Sequence, residues 1–222
     1  MNATQQPLKQ QSLKQSTCAL VLIDLQGLDA DPEVGALASQ PPHVQEAYLK
    51  EIWERVIPNS IQALAYARSA GIEVIHVRIQ SATQDGRDRS PAHKRLGLHV
   101  APGSAHAQFL EGVEPQGDEL IINKTTSDVF HSTTLAYILR NIGITELYML
   151  GTFTNECVAS AARSACDLGF TVSVLPEACA AVSEAEHESA LATLDGRYAE
   201  LITLSELGAR LGLGVPDRLT ES

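Results

Sequence analysis

The chain predicts an α/β fold: three α/β/α layers around a six-stranded, mainly parallel sheet. Three observations carry that prediction. Short apolar runs alternate with helical patterns from end to end. The runs are continuous rather than polar/apolar alternating, as strands buried on both faces require. Strands separated by helices imply right-handed crossovers, and those place successive strands parallel. A chain of 222 residues suffices for one large domain of this kind, and no internal repeat divides it.

The elements follow in order. Residues 18–24 (CALVLID) form a buried strand that ends on an acid. Residues 52–69 have helical spacing and stop at Ala70-Gly71, a helix C-terminal signal. Residues 73–77 (EVIHV) make a second strand, and residues 119–123 (ELIIN) a third, followed at once by Lys124. A helix over 132–141 closes on Gly143, and 147–150 is the fourth strand. A helix over 155–168 closes on Gly169, 171–175 (TVSVL) is the fifth strand, 184–194 a helix and 200–203 a short sixth strand. Residues 27–42 and 80–112 break the pattern and are rich in Gly, Pro, Asp and Ala. Long connections in a compact domain are usually functional. These two follow strands one and two, at the carboxyl edge where open α/β sheets bind ligands. Residues 1–17 read as a flexible tail, and 18–222 as the single folded domain.

Composition narrows the function. Hydrophobic residues make up 44% and charged residues 19%, as in an ordinary globular protein. A net charge of −11 argues against nucleic acid or an anionic membrane as partner. No apolar run approaches the ~20 residues that span a bilayer, and the Gln/Lys/Ser-rich start lacks the apolar core of a secretory signal. Cys18, Cys157, Cys166 and Cys179 show no C-x-x-C pairing, which fits a reduced, cytoplasmic setting.

Three residues converge at the carboxyl edge of the predicted sheet. Asp24 ends strand one, Lys124 follows strand three, and Cys157 opens the helix after strand four. An acid, a base and a thiol at one edge are what covalent acyl transfer needs. A cysteine in a first helical turn meets unpaired N–H groups and a positive dipole, which favour thiolate. Each also has a structural alternative. Cys157 can be a small core residue, Asp24 a helix cap and Lys124 a solvated strand end.

The residues Ala19-Leu20-Val21-Leu22-Ile23-Asp24-Leu25-Gln26, then Asn123-Lys124 with Phe130 and Thr133, then Gly151-Thr152-Phe153-Thr154-Asn155-Glu156-Cys157-Val158 with Ala162-Arg163 and Gly169, form an ordered set. In this set the chain resembles the isochorismatase-like superfamily of cysteine hydrolases, over residues 18 to 207 or so. That superfamily includes nicotinamidases, N-carbamoylsarcosine amidase, ureidoacrylate amidohydrolase and biuret hydrolase. The resemblance implies a Rossmann-like strand order and an Asp24–Lys124–Cys157 triad. It also implies a cis peptide between Thr152 and Phe153, an oxyanion hole from the N–H groups of Phe153 and Cys157, and a homo-oligomer, tetramer or dimer. The implied reaction is hydrolysis of a small linear amide or ureide, of the biuret, triuret, ureidoacrylate or N-carbamoylsarcosine type, through a thioester. The alternatives are another amide or an ester as substrate, or a non-catalytic ligand-binding or redox-sensing member of the fold.

Gln26, Phe130, Asn155 and Arg89 are the candidate substrate contacts. Phe130 can instead pack in the core, and Asn155 can instead cap its helix. Arg89 belongs to the one basic cluster, Arg87, Arg89, His93, Lys94 and Arg95, which is either a solvated loop or a lid supplying a cation. Arg163 reads as paired with a carboxylate, His187 as a surface or structural residue, and Cys166 and Cys179 as buried and inert. Two departures from the family pattern stand out. Asp29 occupies a position, five after Asp24, where the family often has an aromatic residue. No D-x-H pattern of the nicotinamidase metal cluster is present, so no catalytic metal or other cofactor is expected.

Overall fold

The computed structural model describes residues 16–213, so the predicted tail lies outside the described residues up to residue 15. Six strands form one sheet in the order β3-β2-β1-β4-β5-β6. They are β1 (Cys18–Ile23), β2 (Glu73–Ile79), β3 (Leu120–Lys124), β4 (Glu146–Thr152), β5 (Thr171–Ala180) and β6 (Glu200–Leu201). Every pairing is parallel, rather than mainly so. The strand order reverses between β1 and β4. In a doubly wound sheet the chain leaves those two neighbours in opposite directions, which opens a crevice at their carboxyl ends.

The central strands earn their place by composition. Ala19 to Ile23 of β1 and Leu147 to Leu150 of β4 are at most 2% exposed. Each large aliphatic side chain so buried stabilises by about 1.5–3 kcal/mol. Helices flank the sheet. One long helix runs as α1 (Pro42–Glu51), a π turn (Ile52–Val56) and α2 (Ile57–Ala70), and α2 packs on β1, β2 and β5. It starts ten residues before the predicted 52. Pro42 fits a first helical turn, where no N–H partner is needed, and only Tyr48 of α1 is buried, so the apolar periodicity there is faint. Gly71 ends α2 with φ 65°, as predicted.

The remaining helices are α3 (Pro91–Arg95), α4 (Val129–Ser132), α5 (Leu135–Asn141), α6 (Ala159–Asp167), α7 (Glu184–Leu194) and α8 (Leu204–Arg210). The helix predicted over 132–141 is two pieces. Thr133 is extended between them, and its hydroxyl donates to Val129 O and accepts from Leu135 N. A threonine that offers the backbone a side-chain partner competes with the helix ladder in this way. α8 went unpredicted although Thr203 and Glu206 form a full capping box at its start. β5 continues past Pro176 to Ala180, where the sequence reading stopped at 175. A register shift against β4 absorbs the proline.

Candidate active site

The crevice at the carboxyl ends of β1 and β4 holds the predicted triad. Asp24, just past β1, is the one non-glycine residue with positive φ (56°) among the described residues. Asp tolerates this left-handed region better than most residues because its short side chain is polar. Its backbone is held on both sides: N–H donates to Val77 O (2.9 Å), and its carbonyl accepts from Gln26 N (2.8 Å) and Thr152 Oγ1 (3.1 Å). The side chain is thereby aimed away from β1 and inward, toward the lysine.

Lys124 is the last residue of β3, two strands away from β1, and is fully buried. Three acceptors surround its ammonium: Asp24 Oδ2 at 2.8 Å, Thr126 O at 3.1 Å and Cys157 Sγ at 3.2 Å. Cys157 comes from a turn that the sequence makes abrupt. β4 ends in Gly151 and Thr152, the Thr152–Phe153 peptide is cis, and a π turn over Thr154–Val158 leads into α6. Cys157 therefore sits in a π turn and not in a plain first α turn. Thr154 Oγ1, hydrogen-bonded to His187 Nδ1 at 2.8 Å, ties that turn to α7. His187 is buried, so of the two expected roles it takes the structural one and not the surface one.

The electrostatics reverse one expectation. Burial is the largest influence on Cys157 and pushes its thiol well up; Lys124 opposes this, while Asp24 and Asp29 add to it. The resting group is thus a thiol, because loss of water outweighs the helix dipole. Burial also raises Asp24 against the pull of Lys124. Lys124, 2.8 Å from Oδ2, and the neighbouring Cys157 thiol both face the Asp24 carboxyl and favour its charged form. Lys124 loses by burial but gains more from Asp24 and Cys157, and stays protonated. The resting set is a carboxylate, an ammonium and a thiol.

A cavity of about 230 Å³ opens onto Cys157. Its walls include Asp29, Ile79, His93, Phe153, Asn155, Glu156 and Glu186. Asn155 thus lies at the cavity and caps nothing; no side chain caps the π turn. The other three expected substrate contacts go elsewhere. Gln26 is buried with its Nε2 donating to Ile79 O (3.1 Å) and His106 O (2.8 Å), and its Oε1 accepting from Ile79 N (2.6 Å). Every strong hydrogen-bonding direction of its amide is spent on bracing the end of β2. Phe130 stacks on Phe170 with ring centroids 6.2 Å apart, packed against the core. Arg89 donates to Gly86 O (2.9 Å) and Leu98 O (2.8 Å) and pins its own loop. Of the basic cluster only His93 reaches the cavity. Burial with Lys124 and Arg89 nearby lowers it to about 4, so it supplies no cation at neutral pH. Arg163 bonds Thr193 Oγ1 (2.8 Å) and lies over the Tyr198 ring, without a carboxylate. Cys179 is buried, but Cys166 is only partly so.

Comparison with known proteins agrees with this fold. The chain is similar to maleamate amidohydrolase of Pseudomonas putida, 28% identical over 146 residues, which are 63% of this chain and 67% of that one. It is similar to ureidoacrylate amidohydrolase of Acinetobacter baylyi, 28% identical over 140 residues, 56% of this chain and 57% of that one. Among solved structures, an isochorismatase family protein from Desulfovibrio vulgaris superposes with a TM-score of 0.74 at 26% identity, over 88% of this chain and 98% of that one. The isochorismatase domain model matches residues 18–206, from the first residue of β1 into α8. The chain belongs to the isochorismatase family.

Proposed function

We propose that this protein is a cysteine amidohydrolase that cleaves a C–N bond of a small linear amide or ureide through a thioester. The observation that carries the reading is the Lys124 ammonium, 2.8 Å from a carboxylate and 3.2 Å from a thiol at the wall of a cavity. The relatives named for maleamate and ureidoacrylate hydrolysis support the bond type.

The steps follow from the resting charges. As Cys157 Sγ attacks the substrate carbonyl carbon, its proton passes to Asp24, whose carboxyl already faces the thiol. Lys124 holds the sulfur as negative charge builds on it, since the pair lies within hydrogen-bond range. The carbonyl oxygen becomes an oxyanion facing the N–H groups of Phe153 and Cys157. Asp24 then gives its proton to the leaving nitrogen, and ammonia or an amine departs. A water entering the cavity loses a proton to Asp24 and attacks the thioester. The carboxylate product leaves, and the proton returns to sulfur.

Ammonia release against biuret, triuret, ureidoacrylate, N-carbamoylsarcosine, nicotinamide and maleamate, with C157S in parallel, tests the reading. Release from one substrate and its loss in C157S supports it. No release from any, together with a Cys157 that iodoacetamide does not label, overturns it.

A further inference from the structure

Asp29 stands in the cavity beside the nucleophile. It is only 7% exposed. Its carboxyl receives a single hydrogen bond, a long one from Thr152 Oγ1 to Oδ2 at 3.4 Å. Two further acids, Glu156 and Glu186, line the same cavity, and no lysine or arginine does. The nearest cation is Lys124, whose acceptors at 2.8, 3.1 and 3.2 Å already occupy it. His93 is neutral at neutral pH, and Arg89 is tied to two backbone carbonyls. Around the cavity the chain as a whole carries a net charge of −11.

A carboxylate seated in a largely buried site needs a cation or several N–H donors to replace its water. This cavity offers the buried Asp29 and, as exposed residues of its wall, Glu156 and Glu186 instead. An ammonium or other N–H donor meets the opposite situation: Asp29 is a largely buried acceptor with one long hydrogen bond. Burial and the neighbouring Asp24 push the empty Asp29 toward its neutral form, and a bound ammonium would draw it back to the carboxylate.

Resting on the amidohydrolase reading, we infer that Asp29 selects amides whose non-reacting end is an N–H donor, an ammonium above all, and that this site rejects amides ending in a carboxylate. The substrate class therefore differs from maleamate and ureidoacrylate, both of which carry a carboxylate. Of the ureides considered, biuret and triuret fit and ureidoacrylate and N-carbamoylsarcosine do not.

The test reads cavity charge without requiring turnover. Cys157 is alkylated with 2-bromoethylamine (cationic), iodoacetamide (neutral) and iodoacetate (anionic). Each rate is scaled to that of glutathione, and the Cys157 peptide is followed by mass spectrometry, since Cys18 and Cys166 are partly accessible. The expected order is cation, neutral, anion, with about tenfold or more between the ends. In D29N the cation-to-anion ratio falls about tenfold. Lys124 alone would favour the anion, so an equal or reversed order in the parent protein overturns the inference even if D29N does not fold. An unchanged ratio in a folded D29N overturns it as well. Hydrolysis of β-alaninamide, butyramide and succinamate separates the two readings. Turnover led by succinamate removes the selectivity and keeps the amidohydrolase. The expected alkylation order with no turnover of these amides or of the six earlier substrates keeps the selectivity and the nucleophile and moves the scissile bond away from an amide.

Discussion

Gly151→Ala is the substitution through which the fold and the site are tested together. Gly151 pairs with Ile23 across β4 and β1 and has φ 126°. A Cβ built there falls 2.0 Å from Ile23 O and 2.8 Å from Ile23 C and N. All three are backbone atoms, so no side chain can swing aside. Relief to even 3.0 Å demands that β1 and β4 part by about 1 Å. The left-handed backbone adds about 1–2 kcal/mol for a residue with a Cβ, and overpacking about 1–3 kcal/mol. The sum, about 2–5 kcal/mol, lowers Tm by roughly 5–20 °C in a chain of this size. The strands would part between Asp24, next after Ile23, and the turn carrying Cys157. A 1 Å misplacement costs about 10²-fold in rate. The assay is a thermal melt plus the rate of Cys157 labelling by iodoacetamide and of ammonia release. Gly169→Ala is the control, since Gly169 has φ 93° but nothing within 4 Å of its Cβ, and should lose only the backbone share, roughly 2–8 °C. If G151A melts within about 2 °C of the parent and labels at the parent rate, the close approach has been misread.

Other outcomes follow from the same geometry. Lys124→Met leaves Asp24 buried and unpaired, which costs about 3–5 kcal/mol by urea unfolding; adding Asp24→Leu should restore most of that stability and none of the activity. His93 is held at about 4 against an ordinary 6.5, so the unfolded chain takes up its proton first. Its neutral burial stabilises fully above pH 6.5, and up to about 3 kcal/mol is lost as pH falls from 6.5 to 4. Urea titrations at pH 7 and pH 4.5 should show a smaller acid loss in H93Q. Glu119 is held at about 2 by Arg68 (2.8 and 2.9 Å), the Gln116 amide and His76 (2.9 Å), against the effect of burial. Its contribution is present above its ordinary 4.5 and is lost as pH falls toward 2. E119Q should therefore cost about 2–3 kcal/mol at pH 7 and progressively less below pH 4.5.

The sequence was informative where one local pattern decides the outcome. All six strands begin within one residue of their expected starts, because continuous apolar runs have few other readings. Asp24, Lys124 and Cys157 were legible because each directly follows such a run. The substrate contacts were not legible, because a polar residue beside the nucleophile in sequence need not face it in space. Gln26 lies two residues after Asp24, yet its amide is consumed by Ile79 and His106. Phe130 and Arg89 likewise found partners far along the chain or in their own loop. Thiolate was expected from the helix position alone, and burial, which a sequence does not display, decided for the thiol.

The contrast between two buried cysteines shows what the site adds. Cys179 is as deeply enclosed as Cys157, and burial pushes it up to about 12, with only the Gly151 amide and Arg55 acting against it. No carboxylate accompanies it to receive a proton, so a raised thiol there is simply inert. Cys157 is also a thiol at rest, but it has an ammonium at 3.2 Å and a neighbouring carboxylate that can take its proton. Depth of burial therefore does not separate the two residues; proton acceptance does. Transferring that acceptance away, by Asp24→Asn, should abolish ammonia release while Cys157 still labels, because Asp24 no longer holds the thiol up and Lys124 remains in place. Ammonia release by D24N at the parent rate would remove Asp24 as the proton acceptor.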